Sequence, residues 1–89
     1  MTHHLIYQTT QPLETDSHFE DVKRELLICE SLFTGELANG ETKQRIIRYL
    51  KARLSTIPKT FNVEVECWPH ILTLRVLYDF SNVTLTVKP

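Results

Sequence analysis

From Phe19 onward, apolar residues recur at steps of three and four: Phe19, Val22, Leu26, Cys29 and Phe33. That is the period of one helix face and predicts a helix over about 17–34. Leu27, Ile28 and Leu32 widen the stripe, so this helix is expected to be buried over much of its surface. Ser17, with Glu20 three residues later, has the spacing of a capping box, and Asp16 offers a second N-cap. Gly35 is placed to end the helix in a left-handed conformation, which glycine adopts without a Cβ penalty. Asn39-Gly40 marks a turn. Beyond it Ile46, Ile47, Leu50, Leu54 and Ile57 repeat at helical spacing until Pro58, predicting a second helix over about 41–56.

After Pro58 the period changes to two. Phe61, Val63, Val65 and Cys67 alternate with Asn62, Glu64, Glu66 and Trp68, the pattern of a half-buried strand. Trp68-Pro69-His70 turns the chain. Leu72, Leu74, Val76 and Tyr78 then share one strand face, with Ile71, Thr73, Arg75 and Leu77 on the other. Asp79-Phe80-Ser81-Asn82 reads as a turn, and Val83, Leu85 and Val87 alternate with Thr84, Thr86 and Lys88 in a last strand. At the other end, Leu5-Ile6-Tyr7-Gln8 is a short apolar run, a first strand closed by Gln11-Pro12. The order β-α-α-β-β-β describes an α+β fold: a helical hairpin packed on an antiparallel sheet with a C-terminal three-stranded meander. The first strand is expected to join beside the middle or the last strand of that meander.

The 89 residues suit a single domain, 1–89. At 42% hydrophobic and net charge −1 the chain is not of disordered composition, and no apolar run reaches the roughly 18–20 residues of a membrane span. The N-terminal segment lacks the basic and apolar regions of a signal peptide, so a cytoplasmic location with two reduced thiols, Cys29 and Cys67, is expected.

Charge changes the picture more than composition does. Residues 16–36 hold six acids against two bases, whereas residues 43–59 hold six bases and no acid. The second helix is therefore basic and amphipathic, with Arg45, Arg48 and Lys51 expected on its solvent face. Two readings stay open. The helices complement each other at their rims, each exposed pair contributing about 0–1 kcal/mol. Alternatively the basic face holds an anionic partner, either an acidic protein surface or nucleic acid with its salt-dependent binding. Only Tyr49 and Gln44 are at hand to interleave with the bases, which weighs against nucleic acid.

Catalytic and metal chemistry find little footing. Two glycines cannot build a phosphate loop or a nucleophile elbow. Cys67-Trp68-Pro69-His70 is a lone C-x-x-H, short of the four ligands of a structural zinc. His18 and Cys29 lie eleven residues apart on one helix, about 16 Å along its axis, too far to share an ion. Both cysteines fall on apolar faces, where thiols are inert. Glu64 and Glu66 share a strand face without a sign of a pocket. Trp68 falls on the polar face of its strand, with Phe80 in the following turn, and such aromatics anchor partners when exposed. Arg75 shares a rather apolar face with Ile71 and Leu77, a candidate dimer interface.

Arg75-Val76-Leu77-Tyr78-Asp79-Phe80, followed by Val83-Thr84-Leu85-Thr86-Val87, is similar in texture to the central hairpin of the RelE/ParE ribonuclease toxins, and the element order resembles theirs. The resemblance implies a fold of that type with Arg75, Tyr78 and His70 in place of the basic and aromatic groups that stabilise a cleaved phosphate. Glu64, Glu66 and Asp79 in the same region depart from that pattern and imply a catalytically silent relative.

Taken together, these features lead to the expectation of a small non-enzymatic regulatory or protein-interaction module of bacterial or phage type. It needs no cofactor or metal, has no membrane segment, and is compatible with a homodimer. Arg45, Arg48, Lys51, Trp68 and Arg75 are the expected partner-binding residues, and a small nucleic-acid-binding protein is the alternative.

Overall fold

The computed structural model describes residues 2–10 and 17–88. Gln11, Pro12 and Asp16, expected at the end of the first strand and at the first helix cap, lie outside the described residues. The elements are β1 (Thr2–Thr9), α1 (Phe19–Phe33), α2 (Thr42–Leu54), β2 (Asn62–Trp68), β3 (Ile71–Tyr78) and β4 (Ser81–Lys88), so the order and class are those expected. The four strands form one antiparallel sheet in the order β1-β4-β3-β2. Of the two positions open to β1, the chain uses the one beside the last strand.

The strict period of two in β2, β3 and β4 divides the sheet into two faces. Leu72, Leu74, Val76, Val83, Leu85 and Val87 are wholly buried on one of them, against Val22, Leu26 and Cys29 of α1 and Ile46, Leu50 and Leu54 of α2. Each such burial contributes roughly 1.5–3 kcal/mol. The helices lie side by side on this face, α1 over β4 and β3, α2 over β2. The opposite face carries Ile6, Thr84, Arg75 and Glu64 in one row across the strands.

Four expectations are corrected. First, Leu27, Ile28 and Leu32 are 38%, 39% and 57% exposed. With α2 on one flank and the sheet beneath, α1 turns only its Val22–Leu26–Cys29–Phe33 stripe inward. Ile28 and Leu32 sit about 120–160° round the helix from Leu26 at 100° per residue. Second, α1 starts at Phe19 with His18 as cap and no side-chain cap bond, so Ser17 stands one residue outside the helix. Third, Gly35 has no positive φ. Thr34 instead donates its hydroxyl to the Glu30 carbonyl and, at 2.8 Å, to the Glu30 carboxylate, and residues 34–36 tighten into a 3-10 turn. Fourth, the last turn is shorter than expected: Tyr78 pairs directly with Ser81, leaving Asp79-Phe80 as the loop and placing Ser81 and Asn82 in β4. Asp79, at φ 51°, supplies the left-handed residue that a two-residue hairpin asks for.

β1 runs longer than its apolar core implies because all eight residues find partners on β4, from Thr2 opposite Lys88 to Thr9 opposite Ser81. It is tied to α1 by the Tyr7 and Phe19 rings, 4.2 Å between centroids, and by His3 Nε2 at 3.0 Å from the Glu30 carboxylate.

Candidate functional site

On α2, at 100° per residue, Arg45, Arg48 and Lys51 share the exposed side as expected, within about 120° of one another, while Arg53 and Lys43 lie at its two margins. Arg45 and Arg53 turn toward α1. The Arg53 guanidinium donates to both oxygens of Glu25, at 2.9 and 3.2 Å. That carboxylate raises the arginine's pKa, by the hydrogen bond first and by its charge second. Arg45 pairs with Glu36 and stands 5.4 Å from the centroid of the Phe33 ring. The complementarity of the two helices foreseen from their opposite charges thus employs these two arginines. Arg48 lies outermost, and Lys43 and Lys51 fall on the side toward β2. These last three form no ion pair with another described residue.

Two depressions open beside β2. One, of about 470 Å³, is lined by Lys43 and Ile47 of α2, by Val63 to Glu66 of β2 and by Arg75. The other, of about 190 Å³, is lined by Lys51, Leu54, Ser55, Lys59, Phe61 and Val63. As residue numbers rise along α2 they fall along β2, so helix and strand run antiparallel. The short 55–61 connection requires that direction. Among the described residues β2 ends the sheet, hydrogen-bonding to β3 alone. Every second residue of an antiparallel edge strand turns its N–H and C=O away from its neighbour. Among the described residues the flank therefore combines strand backbone without a second neighbour, the half-buried Ile47, Phe61 and Val63, and two lysines, Lys43 and Lys51, without an ion pair.

The other expected residues are dispersed. Trp68, 60% exposed, closes one end of β2. Phe80, 73% exposed, lies beyond the far end of β3. An eight-residue strand of roughly 25 Å separates the two rings, so the aromatic cluster expected of them does not form. Arg75 donates from Nε to the Thr84 hydroxyl and from Nη1 to Glu64, both at 3.3 Å, and is a rung across three strands rather than part of an apolar patch. Of the five expected residues, Lys51 and Arg75 border this flank, Trp68 ends its strand, Arg48 stands above it, and Arg45 belongs to the helix–helix seam. Lys43, Ile47, Phe61 and Val63 were not foreseen. The spacing of residues 43, 47 and 51 by four is visible in the sequence, but that β2 is an edge strand is not.

Burial pushes the Cys29 thiol up to about 12, with the charges of Glu25 and Glu30 adding to it. Burial also raises Cys67, against a smaller lowering by Lys43, and its Sγ–H points to the Leu37 carbonyl at 3.5 Å. Among the described residues no three His, Cys, Asp or Glu side chains converge as metal ligands, and no helix is long and apolar enough to cross a membrane. No protein-family model, curated protein or solved structure matches the chain, so the RelE/ParE resemblance stays one of element order and hairpin texture.

Proposed function

We propose that the chain is a non-enzymatic interaction module that takes a partner protein along the flank shared by α2 and β2. The observation that carries this reading is the division of the basic helix. Arg53 is neutralised by Glu25 of α1 and Arg45 by Glu36 of the turn that follows it, while Lys43, Arg48 and Lys51 form no ion pair among the described residues and stand beside the edge strand β2. Unneutralised cations next to half-buried apolar side chains suit an acidic, partly apolar protein surface. Bases of nucleic acid call for aromatic stacking platforms, and Tyr49 is engaged edge-on with Phe33 at 5.9 Å, which favours protein over nucleic acid. The two raised thiols favour binding over covalent chemistry, since the thiolate is the nucleophile. Pairing β2 with its own copy in antiparallel register sets Glu64 and Glu66 against like charges, which disfavours self-association along this edge.

The test is charge reversal at three exposed positions, Lys43→Glu, Arg48→Glu and Lys51→Glu together. The variant is expected to keep the circular dichroism and melting curve of the parent and to lose the protein that the parent captures from the cells it comes from. A photocrosslinker at position 51 is expected to label that protein, and one at position 32 to miss it. Undiminished capture by the triple variant overturns the reading.

A further inference from the structure

Resting on the reading above, we infer that the partner presents an extended segment that adds to β2 as a fifth strand, with the alternating pattern acid, apolar, acid on its helix-facing side. Lys43, Ile47 and Lys51 follow one another at steps of four residues on α2, about 6 Å of helix rise per step. Alternate residues of a β-strand repeat every ~6.7 Å. A strand laid along β2, beside a helix that runs antiparallel to it, therefore brings successive same-side residues opposite Lys43, Ile47 and Lys51 in turn. The row reads cation, apolar, cation in either direction, so the complementary segment is Glu-x-Val-x-Glu whichever way it enters.

The backbone of β2 supplies the affinity that such pairing draws on, because the N–H and C=O groups it turns outward meet no other strand. The other side of the added strand faces Glu64, already paired with Arg75, and Glu66, which forms no ion pair with a described residue. Opposite charge or hydroxyl is favoured across from them. The same two glutamates disfavour a second copy of β2 as the occupant. The segment that fits is Thr-Glu-Lys-Val-Lys-Glu-Thr or a close relative, neutral overall and matched side by side.

The probe is that heptapeptide carrying a fluorophore, read by anisotropy against the whole chain. Two N-methylated forms accompany it, one methylated on the Glu and Val residues, the other on the Lys and Thr residues. In an added strand only one of these sets faces β2. That form is expected to lose about tenfold or more in affinity through its missing ladder hydrogen bonds, while the other stays close to the parent peptide. Lys43→Glu with Lys51→Glu is expected to weaken binding, and a peptide of the same composition with its acids moved to the opposite side is expected to bind less well. Equal binding by both N-methylated forms overturns strand addition, as does indifference to the double charge reversal or the absence of any binding. Displacement of the peptide by a short single-stranded oligonucleotide at lower concentration overturns the peptide class. Should the heptapeptide fail while capture still depends on positions 43, 48 and 51, the strand inference falls alone. Should both fail, the flank reading falls with it.

Discussion

Cys29 sits on the inward stripe of α1 with no exposed surface, four residues after Glu25 and next to Glu30. Desolvation holds its thiol protonated to about 12 in the folded chain, whereas an unperturbed thiol releases its proton near 9.0. Between those values the unfolded chain has lost a proton that the native chain keeps. Stability from this group is whole below the lower value and drains as pH rises toward the upper one. The urea midpoint is expected to fall as pH rises from about 9 toward about 12, and Cys29→Ala is expected to flatten that fall. An equal slope in the variant removes Cys29 as its cause. At this scale much was legible. Cys29 on an apolar helical period announced a buried thiol, whereas Cys67, on an apolar strand period and expected in the core, is only half-buried because β2 is an edge strand. What the sequence does not carry is who stands next to whom across elements: Arg53 finds Glu25 from 28 residues away, and His3 finds Glu30 only because β1 returns beside β4.

Among the elements, the strands were the more readable, since a period of two assigns every side chain to one face or the other. In α1 the apolar residues cover more than half the circumference, so periodicity alone does not say which third faces inward. That choice was made by α2, whose position beside α1 leaves Ile28 and Leu32 outside. The distinction is measurable. Leu26→Ala removes a wholly buried side chain and is expected to cost about 2–5 kcal/mol by urea titration, whereas Leu32→Ala is expected to stay within about 0.5 kcal/mol. Comparable losses at the two sites would place Leu32 in the core. The α2–β2 flank escaped the sequence for a related reason. Lys43, Ile47 and Lys51 are an unremarkable row on a helical wheel until the sheet order puts an edge strand alongside them.

For the whole molecule, the strand order leaves two edges of different character. β1 offers Thr, His, Ile and Gln outward, whereas β2 carries Glu64 and Glu66 on the sheet's uncovered side. Like charges facing each other across a would-be β2–β2 pairing disfavour that edge as a contact between two copies. Glu64→Thr with Glu66→Thr is expected to make the light-scattering mass climb with concentration, and a mass that stays constant would show that these charges do not guard the edge. The same order has a consequence for how the chain is made. β4, the last of the four strands in sequence order, pairs with both β1 and β3, and the Ser81 hydroxyl donates to a Thr9 hydroxyl 72 residues upstream. At about 5–20 residues per second, the first strand waits for seconds as an unpaired ribbon. Its partner appears only after both helices and the β2–β3 hairpin have been translated, so the two strands farthest apart in the sequence order are neighbours that have to wait for each other.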